Sequence, residues 1–147
     1  EVRIDQSEKR SWLEINLADK ENYKIFKKNI PEKTLVIAVI KADAYGHGDS
    51  IIANALTGLG VNFLGINIDE AVGLRNAGIL CDILILGYSS PIYAKQLAAL
   101  DLTQTIVSEE YAEALVATGY KIKCHFAIDT GMNRIGINSN SLELLVL

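Results

Sequence analysis

Lys41 is the residue of this sequence whose position most clearly suggests chemistry. It follows the continuous apolar run of residues 35–40, a pattern typical of a strand buried on both faces of a parallel sheet. An amine that leaves the buried end of such a strand is partly desolvated, and desolvation favours its neutral form. A neutral lysine can form a Schiff base with a carbonyl or act as a general base. The alternative is a lysine that extends to the surface from a strand end.

The loop after Lys41 adds a second feature, an expected anion site. Residues 45–48 read Tyr-Gly-His-Gly and directly precede a segment with helical spacing of apolar residues. The glycines give the backbone freedom, and the N-terminus of a helix can bind a phosphate. The sequence has no Walker or dinucleotide-binding pattern, so this is not a nucleotide fingerprint of those kinds. His47 is expected either to hydrogen-bond within the loop or to take part in catalysis.

A third polar segment, residues 125–136, reads HFAIDTGMNRIG. Asp129 and Thr130 are expected to shape a turn, because short polar side chains satisfy backbone N–H groups beside a glycine. Arg134 follows that turn, and its guanidinium fork suits a pair of oxygens such as a carboxylate. A surface ion pair is the alternative for Arg134.

These segments follow predicted strands of one repeating unit. The strands are predicted at residues 35–40, 61–66, 82–86, 102–107 and 121–128. Amphipathic helices are predicted between them, with Ser108 as one N-cap and with Gly60, Gly78 and Gly119 at helix ends. This spacing is typical of βα units, so the sheet should be parallel, with its chemistry at the carboxyl ends of the strands. Ahead of the repeat, a separate strand is predicted at residues 12–17 and a helix at 19–30.

Composition excludes several classes of protein. The chain has 147 residues, 50% of them hydrophobic and 22% charged, with 2 Pro, which excludes disordered and fibrous classes. A net charge of −4 with dispersed basic residues argues against a nucleic-acid partner. No apolar run is long enough to span a bilayer, and the polar start is unlike a signal peptide. Cys81 and Cys124 lack metal-site spacing and are expected to be reduced, buried thiols, with neither a disulfide nor a metal.

Two of the polar segments resemble the alanine racemases, which are barrel-type (fold-type III) pyridoxal-phosphate enzymes. Residues 40–49, IKADAYGHGD, resemble the segment that carries the cofactor lysine of that family, and residues 125–136 are similar to its DTGM-x-R-x-G segment. Weaker similarities at residues 12–17, 69–79 and 83–87 fall in the family's order. The resemblance therefore covers nearly the whole chain and implies an α/β fold of the (β/α)8 barrel type, with about five βα units present.

The resemblance implies a role for each of three residues. Lys41 would hold pyridoxal 5'-phosphate as a Schiff base and then serve as one of two acid/base groups, Tyr45 would contact the cofactor phosphate, and Arg134 would lie near the substrate carboxylate. The implied reaction interconverts the L and D forms of a small amino acid, alanine or serine. The second acid/base group is implied to be a tyrosine from the partner subunit of a homodimer. Tyr45 could otherwise be a packing residue.

The sequence also departs from the family pattern. Ala127 stands where the family commonly has a lysine, often carbamylated, that pairs with the arginine. Arg134 is therefore expected to lose an orienting anion, with a change in its geometry, in substrate preference or in its reliance on a bound anion such as chloride. The family continues through the rest of the barrel and into a C-terminal β domain, so residues 1–147 are expected to be an N-terminal part that is inactive alone. Membrane-anchored serine or alanine racemases of vancomycin-resistant bacteria contain a similar soluble domain. The expected location is the cytoplasm, as a free protein or as the cytoplasmic domain of such a parent.

Two other functions stay open at this point. A barrel of the same type could hold pyridoxal phosphate in a regulatory role without turnover. A complete flavodoxin-like binding domain could carry the motifs by accident. The order of the strands in the sheet distinguishes a flavodoxin-like domain from a barrel. A flavodoxin-like sheet has the order 2-1-3-4-5, whereas the strands of a barrel are in sequential order.

Overall fold

The computed structural model describes residues 21–139, and the chain divides into two compact units, residues 1–34 and 35–147. In the first unit, helix α1 spans Glu21–Lys28. Asn29 closes its C-terminal turn, since its side-chain amide donates to the Ile25 carbonyl oxygen at 2.8 Å. This confirms a helix within the predicted range 19–30. The strand predicted at residues 12–17 lies outside the described residues.

The second unit is built on a five-stranded parallel sheet. Its strands are β1 (Ile37–Val39), β2 (Phe63–Ile66), β3 (Asp82–Ile85), β4 (Leu102–Ile106) and β5 (Lys123–Phe126). Each strand pairs with the next one in sequence, in the order β1-β2-β3-β4-β5. All five predicted strands are confirmed, with shorter ends. Sequential order is the order of a (β/α)8 barrel, so the flavodoxin-like alternative is wrong and the fold is a part of such a barrel.

Helices connect these strands. They are α2 (Lys41–Gly46, a left-handed turn), α3 (Asp49–Gly58), α4 (Ile68–Asn76), α5 (Ala94–Ala99, after a 3-10 turn at Pro91–Tyr93) and α6 (Glu109–Val116). The Ser108 side chain accepts a hydrogen bond from the Tyr111 N–H, which confirms it as the N-cap of α6. Gly60, Gly78 and Gly119 have positive φ values of 83°, 81° and 75°, as helix-ending glycines do. After β5, the short strands β6 (Ile128–Asp129) and β7 (Ile137–Asn138) pair in parallel.

The core is centred on β2, β3 and β4. Leu64, Ile66, Ile83, Ile85 and Ile106 are almost completely buried, and α4, α5 and α6 contribute buried apolar residues. Burying one such side chain stabilises the fold by about 1.5–3 kcal/mol. The outer strands β1 and β5 are far more exposed.

The two cysteines differ in their surroundings. Cys81 is half-buried and its thiol lies 3.3 Å from the Asn62 carbonyl oxygen. Cys124 is exposed, so the prediction that both thiols are buried is wrong. The physical reason is that Cys124 belongs to β5, which is an edge strand of the described sheet.

Arg75 ties together the amino ends of two strands. Its Nη1 donates to the carbonyl oxygens of Ile79 at 2.7 Å and Cys81 at 2.9 Å, in the turn that leads into β3. Its Nε donates to the Leu100 carbonyl oxygen at 3.0 Å, just before β4. The Arg75 guanidinium therefore links the end of α4 to the segment before β3 and to the segment before β4.

None of the helices placed between residues 21 and 139 has the length and apolar character needed to cross a lipid bilayer.

Candidate active site

An open cavity of about 410 Å³ lies at the carboxyl ends of β1, β2 and β3. Its lining includes Lys41, Asn67, Asp69, Leu86, Tyr88 and Ser89. Parallel barrels place their active sites at this edge, and cavities of several hundred Å³ accommodate small ligands. The cavity therefore brings Lys41 together with the residues that follow β2 and β3, as the strand-end argument predicts.

Lys41 begins an unusual backbone segment. The four residues Ala42, Asp43, Ala44 and Tyr45 have φ values of 56°, 53°, 52° and 58°, so α2 is a left-handed turn. A left-handed conformation costs a residue with a Cβ roughly 1–2 kcal/mol, and such segments persist only when surrounding contacts hold them. The sequence predicts a flexible loop here, and nothing in the individual residue types indicates this turn.

Local hydrogen bonds hold part of the turn. The N–H of Ala44 donates to the Ile40 carbonyl oxygen at 2.8 Å, and Ala44 itself is buried. The N–H of Asp49 donates to the Asp43 carboxylate at 2.9 Å, so Asp43 also caps α3. His47 places its Nδ1 2.8 Å from the Ala44 carbonyl oxygen, which is the loop hydrogen bond expected as the non-catalytic role of this histidine.

Lys41 and Tyr45 are both exposed at the rim of the sheet. The prediction that the Lys41 amine is partly desolvated is therefore wrong for this chain. The physical reason is that β1 is an edge strand of the described sheet, with Val39 itself 42% exposed. Tyr45 is 60% exposed and is not among the residues that line the cavity.

The loop after β3 is anchored by Tyr111, a buried residue of α6. The Tyr111 hydroxyl donates to the Ser89 carbonyl oxygen at 2.6 Å and accepts from the Ser89 N–H at 3.3 Å. Burial raises the pKa of the Tyr111 hydroxyl, while its bond to Ser89 acts in the opposite direction. The Tyr88 ring lies against the Tyr111 ring with centroids 4.8 Å apart. A buried tyrosine needs a partner for its hydroxyl, which is the signal that could have indicated this contact.

The loop between β6 and β7 has the predicted turn. One Asp129 carboxylate oxygen accepts from the N–H groups of Gly131 at 2.9 Å and Asn133 at 3.0 Å. These bonds lower the pKa of the Asp129 carboxyl below its usual value. Asp129 therefore shapes the turn, as expected from the sequence.

Arg134 lies in the same loop and is exposed. No carboxylate between residues 21 and 139 forms an ion pair with its guanidinium, and Ala127 offers no charge in place of the family lysine. Arg134 does not line the cavity that contains Lys41. Of the three candidate residues Lys41, Tyr45 and Arg134, the structure thus places only Lys41 in the cavity.

Comparison with known proteins shows the family. Residues 17–146 match the family described as alanine racemase, N-terminal domain. An amino-acid racemase of Enterococcus faecalis is 42% identical over 139 residues, which cover 93% of this chain and 20% of that protein. A serine/alanine racemase of Enterococcus gallinarum is 47% identical over 109 residues, or 74% of this chain and 16% of that protein.

A solved structure shows the same likeness in three dimensions. The alanine racemase of Clostridium difficile 630 superposes with a TM-score of 0.77 at 33% identity, over 85% of this chain and 35% of that one. The chain thus spans about a third or less of the length of these relatives. Since the family match extends over most of the sequence and the fold agrees, the chain belongs to the alanine racemase family, as its N-terminal domain.

Proposed function

We propose that this chain forms the N-terminal part of the barrel of a pyridoxal-phosphate-dependent racemase that interconverts L- and D-alanine. The observation that carries the proposal is the position of Lys41 in the cavity at the carboxyl ends of sequential parallel strands. Relatives named as amino-acid racemase and serine/alanine racemase support an amino acid as the substrate, with serine as the second candidate.

The residues of the cavity fit this cofactor. No side chain or backbone group between residues 21 and 139 bonds to the Lys41 amine, so the amine is available to a ligand. Leu86 gives the cavity an apolar wall. Lys41 would hold the cofactor covalently, and Tyr45, an exposed residue outside the cavity lining, would bind its phosphate. When bound, pyridoxal phosphate withdraws electrons from the substrate and makes the Cα–H bond acidic.

Racemisation then requires proton transfer on both faces of Cα. The proton leaves from one face and is replaced on the opposite face, so two acid/base groups are needed. Lys41 lines the cavity and would serve one face. The second group would come from a partner subunit in a homodimer. Arg134, which has no described carboxylate partner, would bind the substrate carboxylate as a fork of two N–H donors.

Reductive trapping tests the role of Lys41. The chain is mixed with pyridoxal phosphate, reduced with borohydride, and digested for peptide mass spectrometry. We expect the label at Lys41 to exceed that at any other lysine by about tenfold, because Lys41 lines the cavity that we propose to position the cofactor. The Lys41→Ala chain should lose this label and keep the weak background at the other lysines.

Equal labelling of all lysines in the folded chain would contradict the proposal. Label at Lys41 in a longer protein that never exchanges the Cα proton of alanine with deuterated water would instead favour a barrel that holds the cofactor without turnover. The other lysines of the same sample serve as internal controls for nonspecific reaction.

Gly65→Ala is expected to weaken cofactor binding while the fold persists. A Cβ at Gly65 would lie 2.9 Å from Cδ1 of Leu86, which lines the cavity. The flexible end of Leu86 can move, so we expect unfolding to become easier by only about 1 kcal/mol. Because Leu86 moves relative to the cavity, labelling at Lys41 should fall by about fivefold. Gly73→Ala is the control, since a Cβ there meets nothing within 4 Å; unchanged labelling in Gly65→Ala would contradict the prediction.

A further inference from the structure

Glu70 makes a contact that helix capping does not require. It is the third residue of α4, where its N–H donates to the Asn67 side chain at 2.9 Å and one carboxylate oxygen accepts from the Asn67 N–H at 3.3 Å. This reciprocal pair is a capping box and uses one oxygen of the carboxylate. The second oxygen accepts the N–H of Asp43 at 2.9 Å, far from Glu70 in sequence.

Asp43 is the centre of the left-handed turn. It lies two residues after Lys41 and two residues before Tyr45, with a φ of 53°. Its carbonyl oxygen accepts from Gly48 at 3.0 Å and its carboxylate accepts from Asp49 at 2.9 Å. These two bonds tie Asp43 to the residues that follow it. Among the described contacts, the Glu70 carboxylate is the one that fixes the Asp43 peptide to a different strand connection, the one after β2.

We infer that Glu70 is a positioning residue that sets the placement of Lys41 and Tyr45 by holding the Asp43 peptide. The inference rests on the proposed function of those two residues. A bond from an N–H group to a carboxylate is stronger than one between neutral groups, and it opposes the cost of four consecutive left-handed residues. Glu70 itself does not line the cavity and would act through Asp43.

Three variants of the full 147-residue chain test the inference. Glu70→Ala removes both carboxylate contacts. Asp43 and Asn67 donate to different oxygens of the Glu70 carboxylate, and Glu70→Gln keeps only one of these oxygens and presents an NH2 group to the other N–H. Ser108→Ala is the matched control, because it removes the side-chain cap of α6, where Ser108 accepts from the Tyr111 N–H at 3.2 Å, without touching the turn.

Two readouts are made on each folded variant. The first is the amide hydrogen-exchange rate of Asp43 by NMR, which needs no cofactor. The second is the share of reductive pyridoxal-phosphate labelling found at Lys41. In Glu70→Ala we expect Asp43 exchange to accelerate and the Lys41 share to fall, each by about tenfold, because the turn is no longer fixed. For Glu70→Gln, the Asp43 exchange rate and the Lys41 share of the label should lie between those of Glu70→Ala and those of the original chain. Ser108→Ala should leave both readouts unchanged.

The outcomes separate this inference from the proposed function. If Lys41 keeps its share of the label in folded Glu70→Ala, or if Asp43 exchange does not change, Glu70 is only a helix cap and the inference is wrong. An equal fall of the Lys41 label share in Ser108→Ala would also overturn the inference, because the fall would then result from a general loss of stability and not from the Glu70 contact. If the unaltered chain shows no preferred label at Lys41, the proposed function fails, while Asp43 exchange still decides whether Glu70 holds the turn.

Discussion

Replacing Arg75 by alanine is expected to lower the free energy of unfolding by about 3 kcal/mol, a large share of the stability of a small domain. The guanidinium donates to carbonyl oxygens of Ile79, Cys81 and Leu100 at 2.7, 2.9 and 3.0 Å. Alanine leaves these oxygens without their charged donor at the amino ends of β3 and β4. Urea unfolding followed by far-ultraviolet circular dichroism measures the change.

Arg134→Ala provides the control for this experiment. Arg134 is an exposed arginine with no ion pair among residues 21–139, so its loss should change the unfolding free energy by less than about 0.5 kcal/mol. Arg75→Lys should be nearly as damaging as Arg75→Ala, because one ammonium group cannot reproduce the planar fork. An Arg75→Ala chain that is as stable as Arg134→Ala would contradict the role assigned to the guanidinium.

Gly136→Ala is expected to disrupt the loop that carries Arg134. Gly136 has a φ of 119°, and an added Cβ would lie 2.9 Å from the Asp129 backbone nitrogen and 3.0 Å from the Ala127 carbonyl oxygen. The Ala127 carbonyl oxygen also accepts the Ile137 N–H at 2.8 Å, so a shift of this oxygen weakens that bond. We expect a loss of about 3 kcal/mol, with the β6–β7 pairing lost before the main sheet unfolds. Urea unfolding and NMR shifts of the loop amides measure both effects.

Gly119→Ala separates backbone strain from steric overlap. Gly119 has a φ of 75°, but a Cβ there would meet nothing within 4 Å. Its substitution should therefore cost only the conformational penalty of about 1 kcal/mol. If Gly136→Ala and Gly119→Ala lower the free energy of unfolding equally, the close approach at Gly136 contributes nothing and the prediction is wrong.

Sequence periodicity was sufficient to predict the sheet because each strand has its own local signal. The apolar runs mark β1 to β5, and the glycines at 60, 78 and 119 mark helix ends whatever the rest of the chain does. The turn at Asp129 was equally predictable, since its carboxylate bonds only to nearby backbone groups. The order of the strands was not predictable from these local signals, and the structure supplied it.

The parts of the site that sequence analysis missed depend on distant partners. Ala42 to Tyr45 have no preference for positive φ as residue types, and the turn is held in part by Glu70 from another connection. Tyr111 shows helical spacing with its neighbours, yet its hydroxyl bonds to Ser89 after β3. Exposure was misjudged at Lys41 and Cys124 because a strand pattern does not reveal which strands are at an edge.

The sequential pairing of the strands also has a consequence for how this chain acquires its structure. β2 pairs with β1 and β5 with β4, so the pairings within the described sheet join strands that are consecutive in the sequence. Short loops close at a small entropic cost, and topologies with pairings close in sequence fold faster than those with distant ones. During synthesis the sheet can therefore extend by one βα unit at a time as the ribosome delivers each repeat, and the turn that carries Lys41 can be in place before β5 has been made.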